Sequence, residues 1–114
     1  MIDRLDEMLR FQTQALTLRG ERQALIAANV ANADTPNYKA VDFDFAAALK
    51  AATAGNAAAQ PQLLYRVPAQ ASIDGNSVDL DAERAQFADN TVRYEAALKF
   101  LNAQIKTMLA AMQG

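Results

Sequence analysis

The chain has 114 residues, 52% of them hydrophobic but only 7% aromatic, and a formal net charge of −2. It contains neither cysteine nor histidine, which excludes disulfides, thiol nucleophiles, the usual zinc ligand sets and a Ser–His–Asp triad. The isoelectric point near 4.9 argues against nucleic acid as a partner. Because alanine supplies much of the apolar content and fills little core volume, we expect an elongated helical protein.

The first residues, Met1 to Glu7, are charged and acidic and have no apolar h-region, so we expect no cleavable signal peptide. There is also no run of about 18 apolar residues, and we expect no membrane-spanning segment. The chain is therefore expected to stay in the cytoplasm or to be exported by a route that needs no cleaved signal.

The first predicted element is a helix from residue 1 to about 32. Apolar side chains recur in steps of four and three residues, as on one face of an α-helix; they are Ile2, Leu5, Leu9, Leu16, Ile26 and Val30. Gln12, Arg19 and Gln23 interrupt this stripe, and Gly20 costs about 1 kcal/mol of helix stability. Two interpretations stay open: a simple hairpin with the C-terminal helix, or a helix that orders only in an assembly.

A turn and a short extended segment follow. Pro36 disfavours helix at the preceding residue, and Asn37 tolerates the left-handed backbone of a tight turn. From Val41 to Phe45 apolar and acidic residues alternate, which predicts an extended segment with one apolar face.

The middle of the chain is low in complexity. Ala46 to Ala52 predicts a short helix, and residues 53–62 predict a linker. Leu63 to Val67 is typical of a short strand that Pro68 ends. This strand can pair either with residues 41–45 or with residues 71–73, and Asp74-Gly75-Asn76 then gives a strong turn signal.

The longest predicted element is a helix from Leu80 to Met112, which contains no proline or glycine. Asp79 and Asp81 can cap its first turn, and Glu83 suits the positive end of the helix dipole. A heptad rhythm indicates coiled-coil-like packing. We call its positions the heptad seam: Phe87, Thr91, Tyr94, Leu98, Leu101, Ile105, Met108 and Met112.

The helix face opposite the heptad seam is small and apolar, with Ala96, Ala103 and Ala110. The only charges from residue 96 to residue 112 are Lys99 and Lys106. We interpret these lysines as a narrow solvated strip rather than a nucleic-acid or membrane edge. Because a helix that is apolar nearly all round needs neighbours on several sides, we expect it to have partners.

Two groups of acidic residues invite a metal or acid–base interpretation: Asp42 with Asp44, and Asp79 with Asp81 and Glu83. Ca²⁺ requires six or more oxygens in a defined loop, and neither group has that pattern. No glycine-rich phosphate loop is present either. We interpret these acids as solvated side chains or helix caps, and expect no catalytic residue, cofactor or metal.

Two blocks of the sequence resemble the rod and hook proteins of the bacterial flagellum. The first runs from Ala28 to Lys39, and its continuation to Phe45 is similar to proximal-rod members. The second runs from Gln70 to Arg84 and is followed by Phe87 to Asn90. Asn37 departs from the family pattern, in which glycine is common, and the family's middle segment is usually longer. The motif residues that match are Asn29, Asn32, Asp34, Thr35, Pro36, Tyr38, Asp42, Phe43, Phe45, Asp74, Gly75, Asn76 and Asp79.

The resemblance implies a mainly α fold in one structural domain. Two long terminal helices, at 1–33 and 80–114, would pack in a coiled-coil-like way around an irregular or β-containing middle at 34–79. It further implies a non-enzymatic subunit of the proximal rod, a drive shaft in the periplasm. The resemblance also implies export through the flagellar type III apparatus. The implied partners are copies of the chain, other rod proteins, and the adaptor at the rod base beside the MS ring.

We expect subunits to meet through the helical stripes and the alanine face. The expected interface residues are Leu5, Leu9, Leu16, Ile26, Val30, Phe87, Tyr94, Leu98, Leu101, Ala103, Ile105, Met108, Ala110 and Met112. The alternative is a soluble helical-hairpin adaptor or export chaperone in the cytoplasm, which should have a more charged outer helix face. An enzyme is a more distant alternative, since no nucleophile–base set can be assembled.

Overall fold

A computed structural model of the chain describes residues 2–55, 61–66 and 72–114. Its elements are α1 (Ile2–Ala31), β1 (Val41–Asp42), α2 (Phe45–Thr53), β2 (Leu64–Tyr65) and α3 (Leu80–Gln113). α1 and α3 pack on each other as an antiparallel hairpin, and the molecule measures 64 × 25 × 18 Å. The predicted class is confirmed: mainly α, elongated, with two long terminal helices and a small β-containing middle.

α3 begins where its capping residue predicts. The Asp79 side chain accepts a hydrogen bond from Ala82 N at 3.2 Å, which satisfies one of the free N–H groups of the first turn. The helix continues one residue beyond the predicted end at Met112. No helix in the described part of the chain combines the length and the apolar character that a membrane crossing requires.

The side of α3 that faces α1 is rotated relative to the heptad seam. Thr91, Leu101 and Met108 of the seam are partly buried, but the rest of it is exposed. A second row on this side consists of Glu83 and Asn90, which are buried, and Ala97 and Gln104, which are partly buried. Polar side chains of α3 hold this orientation because they pair with polar groups of α1. The periodicity of apolar residues does not reveal such polar pairs, so it could not predict which side of α3 faces α1.

The extended segment is shorter than its alternation predicts. Only Val41–Asp42 forms a strand, and Phe45 begins α2 rather than continuing that strand. The reason is Asp44, whose extended backbone and side chain form a helix N-cap that accepts from Ala47 N at 3.1 Å. The predicted helix from Ala46 to Ala52 is confirmed within α2.

β1 and β2 are antiparallel, with Val41 opposite Tyr65 and Asp42 opposite Leu64. Arg66 N also donates to Ala40 O at 3.0 Å. This is the first of the two predicted pairings. Residue 71 of the second pairing lies outside the described residues, as do residues 67–68 and residues 56–60 of the predicted linker.

Candidate functional site

The family motif folds into a compact elbow, which we define as residues 32–40 and 72–79, where the chain passes from α1 into the middle and from the middle into α3. Asn76 is buried and its side-chain amide donates to Asn32 O at 2.9 Å and to Thr35 O at 2.7 Å. Ser77 N donates to Tyr38 O at 2.9 Å, and Ser77 Oγ accepts from Ala40 N at 2.8 Å. The two motif blocks are thus bound to each other.

Asn29 fixes the start of the middle segment against α1. Its side-chain oxygen accepts from Val41 N at 3.0 Å, and its amide nitrogen donates to Val41 O at 2.8 Å. One side chain therefore pairs with both backbone groups of Val41, in the manner of a neighbouring strand. Tyr38 Oη also donates to Asn29 Oδ1 at 3.2 Å. Asn29 is fully buried, and its side-chain polar atoms all have hydrogen-bond partners.

Four charges meet beside the elbow, in a group that we call the junction: Arg22, Asp42, Arg66 and Glu83. Arg22 binds Asp42 with two nearly parallel hydrogen bonds, Nε–Oδ1 at 3.1 Å and Nη2–Oδ2 at 3.0 Å, the strong geometry for an arginine–carboxylate pair. Arg66 Nη2 reaches Asp42 Oδ2 at 2.6 Å. The four charges balance.

Glu83 is the most deeply placed charge of the junction, with 1% of its surface exposed. Asn29 Nδ2 donates to Glu83 Oε2 at 3.2 Å. Arg66 Nε lies 3.3 Å from Glu83 Oε1, which is close enough for an ion pair but not aligned for a hydrogen bond. A buried carboxylate needs this compensation, because desolvation of an unpaired charge is costly.

The junction corrects the interpretation of the acidic residues. Asp42 was expected to be solvated or to serve a helix end, but it is a partly buried ion-pair partner. Glu83 lies in the first turn of α3, as expected, but it is also a buried ion-pair partner. Asp44 and Asp79 are helix caps, as expected. Arg22 and Arg66 were not predicted as site residues, because their partners lie far away along the chain and no periodicity connects them.

The exposed part of the motif forms the outer surface of the elbow. Asp34, Thr35, Pro36 and Asn37 are exposed, and Thr35 Oγ1 donates to Asn32 Oδ1 at 3.1 Å. Asp74 is exposed as well. Hydrogen bonds from the Ser72 hydroxyl and the Asn76 N–H hold the pKa of Asp74 below its ordinary value.

Hydrogen bonds between polar side chains also join the middle of α1 to the middle of α3. Buried Asn90 donates to Arg19 O at 2.9 Å and to Gln23 Oε1 at 2.8 Å, and Gln23 Nε2 donates to Thr91 Oγ1 at 2.7 Å. Two of the residues that interrupt the apolar stripe of α1, Arg19 and Gln23, are therefore hydrogen-bonded to α3. Arg19 lies 3.7 Å above the centroid of the Phe45 ring, and burial, together with the nearby Arg93 and Arg22, lowers its pKa.

Large apolar side chains remain exposed on the outside of the hairpin. On α3 they include Val92, Leu98, Phe100, Leu109 and Met112. A groove of about 360 Å³ runs between α1 and the C-terminal half of α3, and its lining includes Leu5, Leu9, Phe100, Ala103 and Met108. Such surfaces are typical of sites that bind other protein chains.

The expected interface residues fall into three groups according to how far the hairpin itself buries them. Ile26 is fully buried against the rest of the chain, and Leu5, Leu9, Leu16 and Val30 are partly buried. The second group keeps exposed surface on α3; its members are Phe87, Tyr94, Leu98, Ala103, Ile105, Ala110 and Met112. Leu101 and Met108 are partly buried toward α1.

Comparisons with known proteins give a consistent result. A family model described as "Flagella basal body rod protein" matches residues 9–39, which contain most of α1 and the first turn. The flagellar basal body rod protein FlgB of Salmonella typhimurium is 48% identical, covering 100% of this chain and 99% of the relative. The protein of that name from Escherichia coli is 46% identical, with 99% and 98% covered.

A more distant relative gives the same result, since FlgB of Cereibacter sphaeroides is 40% identical over 95% of both chains. The alignment with the Salmonella protein spans 136 positions for the 114 residues here, so at least 22 positions have no residue in this chain. The similarity thus covers both terminal helices and the elbow.

Proposed function

This chain belongs to the FlgB family of flagellar basal body rod proteins, and we infer from that membership that it is a structural subunit of the flagellar rod. The observation that carries this inference is 48% identity to a rod protein over the full length of the chain. The family is structural, which implies that the chain is not an enzyme. The relatives do not favour the cytoplasmic adaptor or export chaperone.

We propose the finer assignments on the resemblance of the two motif blocks. The subunit belongs to the proximal rod, in the periplasmic space, and contributes to the drive shaft that transmits torque. It travels through the flagellar type III apparatus. Its neighbours are copies of itself, other rod proteins and the adaptor at the rod base.

Assembly proceeds through the open faces of the helical hairpin. The support is the row of large apolar side chains on α3 that the hairpin leaves exposed, together with small Ala103 and Ala110, where a neighbouring helix can approach closely. Fully burying one exposed leucine or phenylalanine contributes roughly 1.5–3 kcal/mol. Several such contacts per subunit give a large driving force for assembly.

Ala103→Glu tests this proposal at the groove between the helices. Ala103 is exposed, so the free variant should fold and stay soluble, whereas a carboxylate in a subunit contact should block assembly. The control is Ala51→Glu, since Ala51 is an exposed residue of α2 outside the expected interface. The measurement is the amount of each variant in detergent-extracted basal bodies by mass spectrometry. Wild-type amounts of the Ala103 variant would show that this face stays free.

The same preparation tests the rod assignment itself. Wild-type chain should remain in stripped rods after detergent extraction. If the chain is instead absent from basal bodies and recovered from the cytosol, the adaptor or chaperone function is favoured.

A further inference from the structure

The four charges of the junction come from different segments of the chain. Arg22 comes from α1, Asp42 from β1 and Glu83 from the first turn of α3, so three of the four charges belong to the elements around the elbow. Arg66 alone comes from the segment of residues 61–66. Without Arg66, two carboxylates face one guanidinium group, and within the described parts of the chain Glu83 keeps only the neutral Asn29 amide as a side-chain partner.

Arg66 is positioned to correct this imbalance. Its side chain is largely buried, with 20% exposed, and its planar head contacts both carboxylates: Nη2 lies 2.6 Å from Asp42 and Nε lies 3.3 Å from Glu83. A guanidinium group offers several donors in one rigid fork, so it can span two acceptors as a point-charge ammonium cannot. The Arg66 backbone is itself held by the bond from its N–H to Ala40 O.

We propose that Arg66 is an electrostatic clasp: by pairing with Asp42 and Glu83 together, it closes the elbow end of the α1–α3 hairpin only while residues 61–66 are docked. When this segment is undocked, buried Glu83 loses its ion-pair partner Arg66. The first turn of α3 then separates from Asn29 so that water can hydrate the carboxylate. The middle segment and the helical hairpin are thereby coupled. This inference concerns the free chain and stands apart from the proposed function.

The test compares a single and a double variant of the purified full chain. Arg66→Met should lower the Tm by about 10 °C or more and accelerate amide exchange at residues 80–86 at least tenfold. Arg66→Met/Glu83→Gln should recover more than half of both losses, because the uncompensated charge is gone. The matched control is Arg93→Met, which breaks an exposed ion pair with Asp89 on α3 and should shift the Tm by less than about 3 °C.

Arg66→Lys tests whether residue 66 must pair with both carboxylates or needs only a positive charge. It keeps the positive charge but cannot pair with both carboxylates, so exchange at residues 80–86 should still accelerate. The clasp is overturned if Arg66→Met leaves the exchange unchanged, if the double variant is no better than Arg66→Met, or if Arg66→Lys matches the wild type. Should Arg66→Met fail to fold, recovery of folding in the double variant supports the clasp, and continued failure overturns it.

Discussion

Asn37 and Gly75 hold left-handed backbones in direct contact across the elbow. Their φ angles are 63° and 75°, and Asn37 N donates to Asp74 O at 2.9 Å. A Cβ added to Gly75 would collide with Asn37 Oδ1. The two turns therefore require residues that accept a positive φ, and at position 75 they also require the absence of a side chain.

Gly75→Ala should destabilise the chain by about 1–3 kcal/mol, because alanine pays a steric penalty in the left-handed region and must displace the Asn37 side chain. Urea denaturation followed by circular dichroism measures the free energy of unfolding. Gly20→Ala is the matched control with the opposite sign. Nothing lies within 4 Å of a Cβ at Gly20 in the middle of α1, so that variant should be more stable by about 0.5–1 kcal/mol. Equal effects of the two substitutions would contradict the argument.

Asn90→Ala should cost about 1–3 kcal/mol, since it removes three side-chain hydrogen bonds: the two that Asn90 donates to Arg19 O and Gln23 Oε1, and the one that its oxygen accepts from Arg19 Nη1. Asn102 lies on the same helix but is exposed, and Asn102→Ala should change the free energy of unfolding by less than about 0.5 kcal/mol. Comparable losses in both variants would mean that the buried amide has no special role. Chemical denaturation of the three proteins decides this.

Asp79→Ala should cost about 1 kcal/mol through loss of the N-cap of α3. Asp81 lies in the first turn and is exposed, so Asp81→Ala removes only a dipole interaction of about 0.3–1 kcal/mol. Thermal unfolding provides the comparison. A larger loss for Asp81→Ala would show that charge at the helix end matters more than the capping hydrogen bond.

Ser72→Ala should raise the pKa of Asp74 toward its ordinary value, because the Ser72 hydroxyl donates to Asp74 Oδ1 at 2.6 Å and is the largest cause of the lowering. Ser72→Thr keeps the hydroxyl and should leave the pKa low. NMR titration of the Asp74 carboxyl carbon measures both variants, and an unchanged pKa in Ser72→Ala would exclude this cause.

The sign of the pH dependence follows from the lowered pKa. Asp74 is more readily ionised in the folded chain than in the unfolded chain, so its contribution to stability is present above the ordinary aspartate pKa of about 4. That contribution is lost as the pH falls through the lowered value. Acid unfolding of Ser72→Ala should therefore begin at slightly higher pH than that of the wild type.

Local chemistry was sufficient to predict several features of the fold. The Asp79 cap, the left-handed Asn37 and the short alanine helix depend on residues a few positions apart, where propensity and side-chain hydrogen bonds decide the structure. Phe45 is the exception, because the cap at Asp44 outweighed an alternation only five residues long. The strand alternation gave no sign of that competition.

Features that depend on distant residues were not predictable in this way. Arg66 meets Asp42 and Glu83 only after the chain has folded, and no spacing rule connects the three. Similarly, the heptad rhythm of α3 correctly indicated a packed helix but not which side faces α1. Asn90 sets that orientation, and its partners Arg19 and Gln23 had counted only as defects in an apolar stripe.

The Asn90 hydrogen bonds have a mechanical consequence for a helical hairpin 64 Å long. Leucine side chains can slide past one another with gradual loss of contact, but an amide bonded to Arg19 O and Gln23 Oε1 has one position along the helix. A shift of one turn, about 5.4 Å, would leave buried polar groups unbonded. Asn90 therefore fixes the register of the two helices. Shear along the helix axes must break these hydrogen bonds before one helix can slide past the other.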